Sequence, residues 1–200
     1  MKKITQILIP CALAVLIAGC ASSAPPRYYM LNPVAAPGTA QQNDFSVSVG
    51  PVSVPAFMDR HQIVTRTGPH QVHIAEFERW ASPLKENIGR VIVHDLISLL
   101  GTNRVTLFPE KSAAGASYRA VIDIMRFDSE LGKAATLDAG WTVSSAKNGQ
   151  SYRGRTTLTE AAQGKDYADI VAAHNKALSR LSADIAKAVL QMQDTPSKVQ

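Results

Sequence analysis

The two cysteines are the side chains with the most distinctive chemistry in this 200-residue chain. Cys11 lies within an apolar run at residues 7–18, and Cys20 follows that run directly after the small residues Ala18 and Gly19. A thiol can form a disulfide, bind a metal, attack a substrate or accept a lipid. The position of Cys20, at the end of an apolar run near the N-terminus, favours lipid attachment.

The N-terminus has the organisation of an export signal. Lys2 and Lys3 precede the uncharged run, which at about twelve residues is shorter than the roughly 20 needed to span a bilayer and is typical of a secretory h-region. The stretch L-I-A-G-C at residues 16–20 resembles the bacterial lipobox, in which the chain is cut before the cysteine and the thiol receives lipid. Ile17 is a mild departure, because leucine is commonest at that place. The alternative is a plain signal peptide, or a soluble helix, with an incidental cysteine.

We therefore expect residues 1–19 to be a cleaved signal peptide, Cys20 to be the lipidated residue and residues 20–26 to form a short tether. Each buried methylene of an acyl chain contributes about 0.8 kcal/mol to membrane binding, so several chains anchor a protein durably. Ala21 and Ser22 follow Cys20, without the aspartate that commonly retains such proteins in the inner membrane. By resemblance to that sorting rule, we expect a lipid-anchored protein of the outer membrane that faces the periplasm.

The composition that remains after cleavage excludes several function classes. Removal of 19 residues leaves 200 − 19 = 181, enough for one domain with its own core, and the loss of two lysines leaves a net charge of 19 − 16 = +3. This weak charge, together with export, argues against a nucleic-acid partner. Without Cys11, the chain can form no internal disulfide and, with Cys20 lipidated, offers no thiolate nucleophile or thiolate metal site.

The histidines do not form a predicted metal site. His70 and His73 are three residues apart, and on a strand this spacing places them on opposite faces. His94 falls on the polar side of a predicted helix. His174 falls on the apolar stripe of another, which is typical of a core or interface histidine hydrogen-bonded to a neighbour.

The carboxylates and the known catalytic motifs give no indication of an enzyme. Neither G-x-S-x-G nor H-E-x-x-H occurs. Glu76 and Glu78 are interpreted as a solvated pair, and Asp123 and Asp128 as isolated. We therefore predict no catalytic residue, no metal and no cofactor.

The loop P-A-F-M-D-R at residues 55–60 is the sharpest candidate for a contact site. If exposed, Phe57 and Met58 would offer an apolar contact to a partner subunit or a lipid tail, beside the charged Asp59 and Arg60. The alternative is that both apolar side chains enter the core and Asp59 holds the loop backbone by an Asx-type bond.

The pattern of apolar residues predicts eight strands and two helices. Strict alternation at residues 45–49, interrupted by Gly50-Pro51, predicts a strand with a bulge or bend. A first helix is predicted over residues 80–100, with Ser82 as N-cap and Gly101 as its end, and a second over residues 166–192. The predicted strands are 27–31, 45–49, 62–66, 71–74, 104–108, 118–127, 136–145 and 151–159.

These elements predict an α+β fold: a mixed, mostly antiparallel sheet with two amphipathic helices packed on one face. We expect residues 27–193 to form a single domain and residues 194–200 to be a flexible tail. Trp80 and Trp141 are expected in its core. Asp95 is expected on the polar side of the first helix.

Several stretches, taken in order along the chain, resemble one known family. The most specific is V-G-P-V-S-V-P-A-F-M-D-R-H-Q-I-V-T-R at residues 49–66. With it go R-Y-Y-M-L near the lipobox, R-W-A-S-P-L at residues 79–84, and V-I-D-I followed by F-D-S-E-L and A-G-W-T-V. Together they resemble the PqiC-type lipoproteins, the auxiliary component of ABC-type and MCE transport systems, over nearly the whole chain after Cys20.

The resemblance implies a non-catalytic lipoprotein of the outer membrane that docks an MCE-domain protein anchored in the inner membrane, whose periplasm-spanning assembly carries lipids. It also implies a possible homo-oligomeric ring. The alternative is a structural or assembly lipoprotein of the cell envelope with no direct role in lipid transport. A periplasmic enzyme is the third hypothesis, and it would need a pocket of convergent titratable groups.

Overall fold

A computed structural model describes residues 24–38, 43–110, 113 and 115–194. The predicted signal peptide and Cys20 lie outside the described residues, as does the tail from residue 195 onward. The elements in chain order are β1 (Arg27–Tyr29), β2 (Val47–Ser53), β3 (Gln62–Gly68), β4 (Gln71–Trp80), α1 (Leu84–Leu100), β5 (Val105–Leu107), β6 (Tyr118–Glu130), β7 (Ala134–Ser145), β8 (Ser151–Ala161) and α2 (Tyr167–Asp194).

The strands form two sheets. A five-stranded sheet has the order β5-β2-β6-β7-β8, and a three-stranded sheet has the order β1-β4-β3. The longest pairings, β6 with β7 and β7 with β8, are antiparallel, whereas β2 is parallel to β5 and β6, and β1 is parallel to β4. The predicted α+β class is confirmed, with the strands divided between two mixed sheets.

Both helices pack against one face of the five-stranded sheet. α1 covers β2 and β5, α2 covers β6, β7 and β8, and the two helices contact each other. Alternate residues of β6, which face the helices, are buried as predicted: Tyr118, Ala120, Ile122 and Ile124. The α2 stripe meets them with Ile170, His174, Leu178, Leu181, Ile185 and Val189.

Trp141 lies in the core, as predicted, and is held by polar and steric contacts. Its Nε1 donates to Thr156 Oγ1 at 3.0 Å, and that hydroxyl donates to Asp184 Oδ2 of α2 at 2.6 Å. Gly154 lies against the indole, because a Cβ there would come within 2.2 Å of it. These contacts tie β7 and β8 to α2.

The first helix begins later than predicted. Trp80 is the last residue of β4, where its amide donates to the His61 carbonyl at 2.6 Å, so the strand continues through the predicted helix start. The predicted Ser82 cap is also wrong: Pro83 occupies the cap position without a side-chain hydrogen bond. A residue before proline is restricted to extended conformations, which holds Ser82 outside the helix. Gly101 ends the helix in the left-handed conformation, as predicted.

The predicted bulge in β2 is confirmed. Gly50 has φ of 115°, and the register between β2 and β6 shifts between Val49 and Val52. The shift moves Pro51 and Ser53 to the exposed side while Val47 and Val49 remain fully buried. The strand therefore bends at the point where it leaves the core.

Asp95 is buried between the helices and not on the polar side, which corrects the sequence prediction. It is 1% exposed. Its Oδ2 accepts from Ser182 Oγ of α2 at 3.0 Å, and its Oδ1 accepts from the Ala35 amide at 3.2 Å. Burial raises the pKa of this carboxyl above its usual 3.8. One side chain thereby joins both helices to the chain before β2.

That chain, residues 30–38, is named here the N-terminal strap, because it crosses both helices. The Asn32 amide donates to Asn175 Oδ1 of α2 at 3.0 Å, and the Gly38 amide donates to the Ser98 carbonyl of α1 at 3.0 Å. Leu31 is 2% exposed and lies in the core between these points. The strap therefore fixes the start of the folded chain to the helical layer.

Two carboxylates that the sequence analysis left unpaired are buried against arginines. Glu78, interpreted as solvated, accepts from Arg27 Nε at 2.9 and 3.0 Å and from the Tyr29 hydroxyl at 2.7 Å. Asp128, interpreted as isolated, accepts from Arg66 Nε at 2.6 Å. Asp128 also bonds to Arg126, two residues before it, at 3.2 Å. Arg27 and Arg66, by contrast, are distant along the chain from their partners, so sequence spacing does not indicate those two pairs.

A third buried carboxylate, Asp138, shows the effect of such pairing on titration. Arg155 donates two hydrogen bonds to it, at 2.8 and 2.6 Å, and Thr157 adds a third at 2.9 Å. The hydrogen bonds from Arg155 lower the pKa of Asp138 to about 2. The carboxylate therefore joins β7 to β8 in its ionised form.

We predict that Asp95→Ala lowers the free energy of unfolding by about 2–4 kcal/mol, because each buried donor that loses its acceptor costs roughly 1–3 kcal/mol. Urea unfolding measures the change. Lys176→Ala, at an exposed position of α2, is the matched control, and we expect it to stay within about 0.5 kcal/mol of the parent chain. An Asp95→Ala chain as stable as the control would show that the buried carboxylate does not hold the layers together.

We predict that the stabilisation from Asp138 disappears in acid. Its pKa is lowered from 3.8 to about 2 in the folded state, so its contribution is complete above pH 3.8 and is lost as the pH falls toward 2. The difference in unfolding free energy between the parent chain and Asp138→Asn should shrink over that interval. A difference that stays constant with pH would contradict the assignment. Asp44→Asn, at a fully exposed carboxylate, is the control.

Candidate partner-contact surface

The loop at residues 55–60, named here the Phe57 loop, joins β2 to β3 by a tight turn. The Pro55 carbonyl accepts from the Met58 amide at 2.9 Å and from the Asp59 amide at 3.2 Å, and the Met58 carbonyl accepts from the Arg60 amide at 2.8 Å. The backbone of the turn is thus bonded to itself. These hydrogen bonds fix the backbone from which the side chains of the loop project.

The structure separates the two apolar residues of the loop. Phe57 is 45% exposed, whereas Met58 is 3% exposed and belongs to the hydrophobic core. Of the two, Phe57 alone is available to a partner. Met58 takes the core position that the sequence analysis had kept as the alternative, and it anchors the loop beneath Phe57.

Asp59 connects the loop to the first helix. Its carboxylate accepts from Lys85 Nζ at 2.8 Å, with the two side chains 33% and 50% exposed. This hydrogen bond raises the pKa of Lys85. The alternative had predicted an Asx-type bond from Asp59 to the loop's own backbone. Asp59 instead bonds to a side chain at the start of α1. Arg60 is half-buried, and its Nε makes no hydrogen bond within the described ranges.

An apolar groove lies beside the loop, at the ends of the parallel strands β2 and β5. It has a volume of about 230 Å³. The residues that line it are Pro51, Val52, Lys85, Glu86, Leu107, Phe108 and Pro109. Lys85 belongs both to the groove and to the ion pair with Asp59, so the loop and the groove form one continuous surface.

The groove is shaped by glycine and by stacking on an aromatic ring. A Cβ at Gly89 would come within 2.6 Å of Leu107 Cδ1, so glycine allows α1 to approach β5 closely. Phe108 remains 37% exposed, and the Arg119 guanidinium lies 5.1 Å from the centre of its ring. Such an arrangement can bind an apolar side chain or a hydrocarbon chain at a rim of mixed charge.

The sequence analysis missed this groove. The signal that could have indicated it is the pair of X-Pro steps, Gly50-Pro51 and Phe108-Pro109, each placed where a strand of the sheet leaves the core. Both peptide bonds are cis. Their proximity depends on the pairing of β2 with β5, which sequence spacing alone does not give.

A second cavity, of about 200 Å³, is lined largely by charged residues. Arg66, Arg126, Lys133, Asp128 and Glu130 are among the residues that line it. Arg66 and Arg126 both bond to Asp128, and Lys133 bonds to Glu130 at 2.7 Å. Each of its cations is therefore already paired with a carboxylate, although Arg66 and Arg126 share Asp128.

The histidines are not placed to bind a metal ion within the described residues. His70, His73 and His94 are exposed. His174 is buried and stacks on Phe127 with ring centres 3.9 Å apart, and burial lowers its pKa to about 3. Its Nδ1 has no hydrogen-bond partner among the described residues.

Metal-binding clusters and membrane-spanning helices are both absent from the described residues. Those residues contain no group of three or more His, Cys, Asp or Glu side chains placed to hold a metal ion. In the same ranges, neither helix combines the length and apolar character needed to cross a bilayer.

The comparisons with known proteins support the fold and identify the family. A crystal structure of a Xanthomonas campestris protein of the DUF330 family is 18% identical, covers 84% of this chain and 100% of its own, and has a TM-score of 0.68. A crystal structure of an uncharacterised protein is 23% identical, covers 83% of this chain and 99% of its own, and has a TM-score of 0.69. No curated protein matches the chain significantly.

At these identities the two structures show the fold alone. The sequence profile described as ABC-type transport auxiliary lipoprotein component matches residues 29–186, which is most of the chain and includes the Phe57 loop and the apolar groove. The resemblance found in the sequence is thereby confirmed. The chain belongs to the family of ABC-type transport auxiliary lipoprotein components.

Proposed function

We propose that the protein is an outer-membrane lipoprotein, anchored through Cys20 and facing the periplasm, that serves an MCE/ABC-type intermembrane lipid-transport system. Its role is to dock the periplasm-spanning MCE partner at the outer membrane. The observation that carries the proposal is membership of an auxiliary transport lipoprotein family, which fits the lipobox at residues 16–20. The mature chain comprises the lipidated tether at residues 20–26 and one domain at residues 27–193.

The role is non-catalytic. The titratable side chains of the candidate surface bond to one another, as in the pair of Lys85 with Asp59, and Glu86 lies 3.9 Å from Arg90. These groups are exposed to solvent, where ion pairs are weak. Catalytic acids and bases are usually tuned by burial, which these side chains lack. An accessory component needs a stable contact surface, and this is what the loop and groove supply.

The Phe57 loop and the apolar groove are the proposed contact for the partner. An exposed aromatic side chain on a rigid backbone loses little conformational entropy when it is buried in an interface, and aromatic residues dominate binding energy in such positions. The buried Met58 and the backbone hydrogen bonds of the turn hold Phe57 in place. The groove beside it can take an apolar side chain from the partner.

Copies of the protein on one membrane could assemble as a ring around the partner's end. Anchoring several copies in one leaflet raises their effective concentration, so weak lateral contacts between domains suffice for assembly.

We predict that an MCE-domain protein copurifies with this lipoprotein. The mature protein is extracted from its native membranes in mild detergent with the lipid anchor intact and is recovered through an affinity tag after Gln200. The recovered partners are identified by mass spectrometry. Recovery of outer-membrane assembly proteins with no MCE-domain protein would favour a structural or assembly role in the envelope and contradict the proposal.

We predict that Phe57→Ser weakens binding of the MCE-domain partner by at least about tenfold, the range of an interface residue worth 1.4 kcal/mol or more. Because Phe57 is 45% exposed, the domain should keep its fold, which thermal unfolding checks. Leu190→Ser, at a 37% exposed position of α2 that does not line the groove, is the control. Equal affinities for both variants would exclude the loop as the docking site.

A further inference from the structure

The first folded residues after the tether alternate between the core and solvent. Tyr29 and Leu31 turn inward: the Tyr29 hydroxyl bonds to Glu78, its ring lies 6.2 Å from that of Tyr167, and Leu31 is 2% exposed. Tyr28 and Met30 point the other way and are 62% and 53% exposed. These two are the most exposed large apolar side chains among the described residues.

Tyr28 and Met30 form a small apolar face at the edge of the three-stranded sheet. β1 pairs only with β4 in the part of the chain that the structure describes, and residues two apart in an extended chain lie on one side, about 7 Å from each other. An exposed edge strand with apolar side chains is a liability in solution unless something covers it. The face therefore indicates an interaction surface.

The position of this face in the chain identifies its occupant. Six residues lie between Cys20 and Arg27, which makes seven Cα–Cα steps. A fully extended chain spans at most about 3.6 Å per step, so this segment reaches no more than about 25 Å. With acyl groups on Cys20, β1 is the element closest along the chain to the bilayer. A surface elsewhere on the fold has no such constraint.

The chemistry of the face fits the headgroup region of a bilayer. Tyrosine is enriched at membrane interfaces, where its ring enters the apolar boundary and its hydroxyl remains hydrated. The register places Arg79 of β4 directly beside Tyr28. Its Nε donates to the Glu76 carbonyl at 3.2 Å, and its side chain makes no ion pair within the described ranges. A free cation beside an aromatic ring favours anionic phospholipid headgroups.

We infer that the face formed by Tyr28 and Met30, with Arg79 beside it, rests on the phospholipid surface in which Cys20 is anchored and sets the orientation of the domain on the membrane. This inference rests on the proposed lipid anchor and is independent of the MCE partner. It assigns the Tyr28 face to the bilayer and leaves the Phe57 loop for the partner.

The test uses the full mature lipoprotein, reconstituted into vesicles of phosphatidylethanolamine and phosphatidylglycerol with or without bromine on the acyl chains. Tyr28→Trp places a fluorescent reporter on the face, and Met30→Trp is a second reporter should the first disturb folding. Val72→Trp is the matched control, because Val72 is 41% exposed on the same sheet and about 20 Å away along β4. The buried Trp80 and Trp141 of the parent chain give the baseline.

We predict that brominated lipid quenches the added emission of Tyr28→Trp and of Met30→Trp, while that of Val72→Trp is unchanged. Equal behaviour of the reporters and the control would overturn the inference. A blue-shifted emission without quenching would also overturn it, because a second copy or a protein partner would then cover the face. Mass spectrometry of the N-terminus distinguishes a failure of the proposed lipid anchor from a failure of this inference. A chain without acyl groups at Cys20 overturns the anchor and the inference together, whereas an acylated chain with unquenched reporters overturns the inference alone.

Discussion

The buried carboxylate of Asp95 is the interaction on which the arrangement of the layers depends. It lies between α1 and α2, accepts from Ser182 of α2 and from the Ala35 amide of the N-terminal strap, and is almost completely removed from water. A buried polar group of this kind is costly unless its bonds are satisfied. The geometry that satisfies them also fixes the two helices against each other and the strap against both.

From this arrangement follows the position of the candidate surface. With α1 fixed, its first turn lies at the ends of β2 and β5, and Lys85 can reach both Asp59 and the apolar groove. With the strap fixed, β1 pairs with the end of β4, so Tyr28 and Met30 are turned away from the core. The proposed partner contact therefore depends on the position of α1, and the proposed bilayer contact depends on the position of the N-terminal strap.

Periodicity in the sequence was sufficient to predict most of the strands and both helices, but not the division of the strands between two sheets. Alternation in β6 and the apolar stripe of α2 depend on local spacing, and both are confirmed. Asp95 and Glu78 were assigned to solvent because their partners lie far away in the sequence. Asp128 was left unpaired because its bond to Arg66 depends on tertiary contact, although Arg126, two residues before it, is a local partner. The Trp80 boundary was missed for a related reason, since a strand is extended by its neighbours, here through His61 and Tyr29. For the Phe57 loop, the sequence indicated the segment but not which of its two apolar side chains would be buried.

The bond between Arg27 and Glu78 has a mechanical consequence. Arg27 is the first residue of β1, and β1 is the first element after the tether. Tension between an anchored lipid and the domain would reach the fold at this guanidinium before any other side chain of the sheet. The hydrogen bonds between β1 and β4 run across the strands, so a pull along the axis of β1 would shear them together instead of opening them one by one. The paired carboxylate therefore lies at the loaded end of the protein, where a bidentate ionic bond resists displacement better than a single neutral one.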